Sequence, residues 1–243
     1  MSSVDRLWLD NVIPVEIHRP EAHEPKGIVV TLHGLLSYRG SEKFLLLADL
    51  LSSAGFIAVR FDQFGAGENL ERSAPTLIDG RLQDLRRVAE FLKEKFVDRI
   101  SSLLPICLLG SSFGGYIAYL YAATYGNIQA IVSWATPFDV SMVRRFLTEE
   151  NPFSGIQNKR DPLGQPDRLS ILTSLSNVKN VLVLHGVDDE IVPWTEAQMV
   201  YDAVSDPKEL ILFDGVDHRF SDEEARRKAA ELSVGWLVNC CSK

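Results

Sequence analysis

Cysteine is scarce in this chain of 243 residues, and a surplus of positive charge is missing altogether. Three cysteines is an odd count: Cys107 sits in an apolar run, while Cys240 and Cys241 are neighbours close to an end expected to fray. No disulfide framework follows, and a reduced, cytoplasmic setting is expected. No basic group flanks Cys107, which marks it as a core residue rather than a nucleophile. With 25 Lys and Arg against 33 Asp and Glu, the net charge is -8. That is the wrong balance for gripping a phosphate backbone, so no nucleic-acid partner is expected and small, neutral or weakly charged substrates fit better. Met1 to Asp10 carries Asp5, Arg6 and Asp10 and lacks the apolar core of a secretion signal. The stretch from Ser101 to Phe138 has no charged residue, yet Pro105, Gly110, Gly114, Gly115 and Gly126 break it at turn positions. It reads as buried strand, helix and strand, and no membrane span is expected. Internal repeats are absent too.

What is present is a core. Hydrophobic residues make up 46% of the chain, enough for one domain over residues 1–243. Short β-branched runs alternate with longer helical patterns, the signature of an α/β fold with a mostly parallel central sheet and helices on both faces. Residues 4–9 and 12–18 form an opening hairpin turned at Asp10-Asn11. Ile28–Leu32, Phe56–Phe61, Ile106–Leu109, Ala130–Ser133, Val181–Leu184 and Glu209–Phe213 are the buried strands. Helices are expected at Ser41–Ala54, ended by Gly55, at Asp79–Phe96 with Leu82, Leu85, Val88, Ala89 and Leu92 inward and charges outward, and at Ser112–Thr124, Trp194–Val204 and Asp222–Val238. The alternation breaks between Pro137 and Asn177, in a stretch that holds Phe138, Phe146 and Phe153 with the basic pairs Arg144-Arg145 and Lys159-Arg160. A loop of that length in a compact domain is a lid in the sharper reading and a surface excursion in the plainer one.

The chemistry starts at Gly110-Ser111-Ser112-Phe113-Gly114. Gly-x-Ser-x-Gly arises by chance in roughly one chain in ten of this size, so its setting decides. An apolar strand enters it and an apolar helix leaves it, and a serine in so sharp a turn needs small neighbours on both sides. Ser112 is therefore the candidate nucleophile, and the Phe113 amide, at the helix start, a candidate oxyanion donor. Ser111 is the rival, one position before the turn. A serine hydroxyl needs a base, and there are five histidines. His18 and His23 belong to an early polar loop and are expected in solvent, while His33 and His185 end strands in His-Gly pairs and brace turns. His218, in the loop after the last strand, remains, and carboxyl ends of parallel strands share one edge, where it can meet Ser112. The orienting carboxylate belongs on that edge, and Asp188 and Asp189 both follow Val181–Leu184, with Asp139 and Asp217 as weaker rivals.

The order serine, acid, histidine resembles that of the α/β-hydrolase superfamily, over nearly the whole chain. His185-Gly186-Val187-Asp188-Asp189-Glu190-Ile191-Val192-Pro193 is similar to its His-Gly-x-x-Asp-x-x-Val-Pro segment, which implies Asp189 as the acid. Thr31-Leu32-His33-Gly34-Leu35 resembles the family's oxyanion loop and implies that the Leu35 amide pairs with that of Phe113. Gly40 to Asn69 resembles bacterial cinnamoyl or feruloyl esterase-like and monoacylglycerol lipase-like members, although Asp62-Gln63-Phe64-Gly65-Ala66-Gly67-Glu68-Asn69 lacks their usual Arg and Ser. The expectation is an α/β-hydrolase fold with a short lid at about 137–177, cleaving carboxylic esters of small to medium acyl or aromatic acids through an acyl-enzyme. Trp134, Phe138 and Phe146 are candidate substrate-binding residues, and no metal or organic cofactor is implied. Thioester, amide or carbon–carbon cleavage on the same triad, and an inactive binding module, are the alternatives.

Overall fold

The computed structural model describes residues 3–21, 24–70, 74, 76–96, 104–141, 143–144, 163 and 175–241. Eight strands, β1 (Val4–Leu9), β2 (Ile13–His18), β3 (Ile28–Leu32), β4 (Ile57–Phe61), β5 (Ile106–Ser111), β6 (Ala130–Trp134), β7 (Val181–Gly186) and β8 (Lys208–Phe213), join in one sheet. Their spatial order is β1-β2-β4-β3-β5-β6-β7-β8. β2 runs antiparallel to both β1 and β4, and every other pairing is parallel. The opening hairpin turns through Asp10 and Asn11, at φ 53° and 59°, a conformation that short polar side chains tolerate.

Parallel strands must be covered on both faces, and the alternation along each strand supplies two apolar surfaces. Ile28, Val30 and Leu32 of β3 join the core beneath α2 (Leu77–Lys95), α3 (Phe113–Tyr125) and α4 (Trp194–Ala203). Val29 points the other way, into the core beneath α1 (Glu42–Ser53) and α5 (Glu223–Cys241). The α1 helix stops where Gly55 takes φ 97°, the left-handed exit expected of glycine. The α2 helix begins two residues earlier than its apolar spacing predicts, because the Thr76 side chain accepts a hydrogen bond from the Asp79 amide and caps it.

Three further expectations change. The charges of α2 are not all outward, since Arg81 and Asp84 are fully buried on the face shared with Leu85, Val88 and Leu92. Both have polar partners there: Arg81 reaches the β3–α1 loop and Asp84 accepts from Asn69 Nδ2 at 2.7 Å, which offsets the cost of burying them. His18 is buried rather than solvated, because β2 lies inside the sheet, and its Nε2 accepts from Arg60 Nε at 3.1 Å. Finally, α5 holds its helix through Cys241, whose Sγ packs 3.6 Å from that of Cys107.

The stretch between Pro137 and Asn177 falls mostly outside the described residues, as do His23, Arg145, Phe146, Phe153 and the Lys159-Arg160 pair. Within it, Val140, Leu163 and Leu175 are buried in the same core as α3. Among the described residues no helix is long and apolar enough to cross a membrane.

Candidate active site

The carboxyl ends of β3, β5, β7 and β8 open on one edge, and each delivers part of a site there. Ser112 sits between β5 and α3 at φ 54° and ψ -127°, a conformation rare for a residue with a side chain. Its amide donates to the Trp134 carbonyl at 2.7 Å and its carbonyl accepts from the Gly115 amide at 2.9 Å, which pins the turn from both sides. The turn closes only because its neighbours lack side chains. A Cβ on Gly110 would lie 2.4 Å from the Gly115 Cα, and one on Gly114 would lie 2.1 Å from the Leu32 carbonyl oxygen.

His218, in the loop after β8, brings Nε2 to 3.0 Å from Ser112 Oγ and Nδ1 to 2.8 Å from Asp189 Oδ2. An ionised carboxylate only accepts, so Nδ1 carries the proton and Nε2 is left as an acceptor for the serine hydroxyl. Asp189 lies in the turn after β7. Burial alone would raise its pKa, but hydrogen bonds from His185 and His218, the electrostatic attraction of the His218 ring and the Val192 amide together hold its carboxyl well below the usual range. The Ile191 and Val192 amides bind Oδ1 at 2.9 and 2.7 Å, leaving Oδ2 for the two imidazoles. Asp188 is exposed, Asp139 accepts from the Ser141 amide and Asp217 from the Ser221 amide. None of these three carboxylates has a hydrogen bond to the ring among the described contacts.

His33 and His185 sit at the strand ends as braces. His33 Nε2 accepts from the Gln63 amide at 2.9 Å, so its Nδ1 donates to the Gly34 carbonyl at 2.8 Å. Burial, then the nearby Arg81 charge, push its pKa down to about 3, so it stays neutral. His185 Nε2 donates toward the Val192 carbonyl at 2.9 Å and lies 3.1 Å from Asp189 Oδ2.

Leu35 and Phe113 line the same cavity as Ser112 and His218. Arg81, which the sequence reading left on the solvent face, fixes the first of them. Its guanidinium donates to the carbonyls of His33, Gly34 and Leu35, each at 3.3 Å, and stacks 5.0 Å from the Phe113 ring centre. In a trans peptide the N–H opposes the preceding C=O, so a Gly34 carbonyl turned to Arg81 turns the Leu35 N–H away from it. Gln63 closes the loop by donating to the His33 carbonyl at 2.7 Å. The sequence signal for Arg81 is its place four residues before Leu85, on the apolar stripe, a signal it shares with charges that snorkel to water.

The cavity measures about 870 Å³, and Leu36, Tyr38 and Ile191 give it an apolar mouth. Two candidate substrate-binding residues are elsewhere. Trp134 is fully buried beneath the sheet edge, its Nε1 donating to Ser233 Oγ at 2.9 Å and its ring 5.0 Å from Phe220. Phe138 is 7% exposed and packs in the core with α3. Neither lines the cavity, because strand alternation and the turn after β6 aim both into packed layers. The wall that sequence reasoning missed is the β3–α1 loop and the start of α1, including Lys43.

Comparison with known proteins agrees with this architecture. A family model described as serine aminopeptidase, S33, matches residues 23–160, more than half of the chain. The chain is 25% identical over 218 residues to the mitochondrial palmitoyl-protein thioesterase ABHD10 of Pongo abelii, covering 80% of this chain and 68% of that one. It is 24% identical over 267 aligned positions to a monoacylglycerol lipase of Mycolicibacterium smegmatis, covering 89% of each. Among solved structures, ferulic acid-bound Est1E from Butyrivibrio proteoclasticus superposes with a TM-score of 0.73 at 16% identity, over 98% of this chain and 100% of that one. With the doubly covered sheet and a family match across the Gly-x-Ser-x-Gly turn, the chain belongs to the serine aminopeptidase S33 family of α/β-hydrolase serine hydrolases.

Proposed function

We propose that the protein is a serine esterase whose nucleophile is Ser112, with His218 as general base and Asp189 as the orienting acid. The observation that carries this reading is the unbroken hydrogen-bonded line from Ser112 Oγ to His218 to Asp189, 3.0 and 2.8 Å, opening into the cavity. Ser112 attacks the ester carbonyl while His218 Nε2 takes its proton, and the ring returns that proton to the departing alcohol. Water then releases the acid from the acyl-enzyme by the same proton shuttle. The amides of Leu35 and Phe113 bind the oxygen on which negative charge develops, and Arg81 holds the Leu35 peptide in place for that purpose. The apolar mouth suits small to medium acyl or aromatic groups.

Support for ester chemistry comes from the monoacylglycerol lipase and the ferulic acid-bound Est1E; the thioesterase relative favours a second reading in which the scissile bond is a thioester. A panel of p-nitrophenyl esters of graded chain length, run beside methyl ferulate, a monoacylglycerol and an acyl thioester, separates these. The esterase reading predicts the highest kcat/KM on an oxyester, and a thioester preferred over its oxyester counterpart overturns it.

A further inference from the structure

Lys43, the second residue of α1, is an unexpected occupant of the cavity wall. Its Nζ donates to Ser111 Oγ at 3.0 Å, immediately beside Ser112, and lies 5.2 Å from the Trp134 ring centre and 5.5 Å from that of Phe220. Among the described residues no carboxylate pairs with it. The two acids that line the cavity are engaged elsewhere, Glu42 with Arg226 at 3.5 Å and Glu190 with the His218 amide at 3.1 Å. Ser111 is equally unusual. Its hydroxyl accepts from Lys43, so its own hydrogen is free to be donated, and it lines the cavity. Opposite partners in a parallel pair share a face, and Ser111 pairs with Trp134, so the serine points toward Lys43 and α1.

We propose that Lys43 and Ser111 form a cationic donor subsite beside Ser112 that binds a carboxylate carried by the ester substrate. The inference deepens the esterase reading and rests on it. A carboxylate offers one negative charge and two acceptor oxygens, which match one ammonium N–H and one hydroxyl. The apolar wall formed by Leu35, Phe44 and Val143 suits the chain between that carboxylate and the scissile carbonyl. The amine also has a finite charge range: burial, then Arg226, pull the Lys43 pKa down to about 8 while Asp217 and Asp189 oppose them. The charged and titratable groups around it are Glu42 on its own helix, Arg226 on α5, Asp189 and Glu190 after β7, and Asp217, His218 and Arg219 after β8.

The test compares esters in matched pairs by pH-stat. Methyl half-esters of succinic, glutaric and adipic acid, against methyl esters of neutral acids of the same length, place the carboxylate on the acyl side. Butyryloxyacetate against propyl butanoate places it on the alcohol side. At pH 7 at least one charged ester is expected to exceed its neutral partner in kcat/KM by about tenfold, as one charge-assisted hydrogen bond allows. Lys43→Met brings that ratio to about one or below, chiefly through KM, whereas Lys43→Arg retains it. The wild-type ratio falls between pH 7 and 9 and the Lys43→Arg ratio does not, while His218 serves both members of each pair and cancels. Cleavage of neutral esters with no charged ester preferred overturns the subsite and leaves the esterase reading intact, as does a Lys43→Met protein that is acylated at Ser112 and keeps the ratio. No ester cleaved at all, with no acylation of Ser112, removes both.

Discussion

At the residue scale, side chains that sequence alone leaves equivalent divide the labour of the site. Asp188 and Asp189 are adjacent carboxylates, yet only Asp189 receives the two imidazoles and two backbone amides. Asp189→Asn is therefore expected to lower kcat by about 10⁴-fold, because a carboxamide can no longer fix the His218 tautomer, while Asp188→Asn stays within a few-fold of wild type. Steady-state kinetics on one ester decides it, and the reverse order would transfer the role to Asp188. In the proposed mechanism Arg81 is a positioning residue. Arg81→Lys loses the fork that holds three carbonyls and is expected to lower kcat by about 10- to 100-fold with KM nearly unchanged, since an oxyanion donor acts in the transition state. A rise in KM with kcat unchanged would place Arg81 in substrate binding instead. The sharp turn at Ser112 was readable in the sequence because glycine spacing, strand and helix coincide there. Lys43 and Arg81 were not read, because a charge one turn from an apolar stripe looks the same whether it snorkels to water or is buried against partners.

At the scale of elements, the turn from β5 into α3 depends on the absence of Cβ atoms. Gly114→Ala drives a methyl into the Leu32 carbonyl, so β3 and α3 must separate. The expected cost is about 3 kcal/mol, seen as a Tm lower by roughly 6–12 °C, with activity lost beyond what unfolding explains. Calorimetry alongside kinetics on the folded fraction checks both halves. Most strands and helices were legible because their apolar periods are regular, as in β3 and α1. The start of α2 was misplaced although Thr76 and Asp79 stand in a capping arrangement, since the apolar stripe was allowed to outvote the cap. Trp134 and Phe138 are expected at a substrate wall for their apolar aromatic surface, whereas strand alternation aims Trp134, and the turn after β6 aims Phe138, into the core.

For the molecule as a whole, charges buried near the site set how stability follows pH. His33 has a folded pKa of about 3 against an unfolded value near 6.5, and His18 is shifted down as well, by burial and then Arg60. Below pH 6.5 the unfolded chain binds protons that the fold refuses, so stability falls as pH drops from about 6.5 toward 3. A chemical-denaturation series is expected to show that slope, reduced in His33→Gln; a flat profile down to pH 4 contradicts it. Lys43 works on the alkaline side. Its folded pKa near 8 lies below the unfolded value near 10.5, so the penalty for burying its charge is complete below pH 8 and fades as pH rises to 10.5. Lys43→Met is accordingly expected to raise Tm at pH 7 by a few degrees, on the order of 2–4 °C per kcal/mol, with the gain shrinking above pH 8.

The most direct measurement is intact and peptide mass spectrometry after reaction with a fluorophosphonate, on wild type and on Ser112→Ala and Ser111→Ala proteins. A single adduct on Ser112 is expected, retained when Ser111 is alanine and absent when Ser112 is. An adduct on Ser111, or none on any folded form, would contradict it.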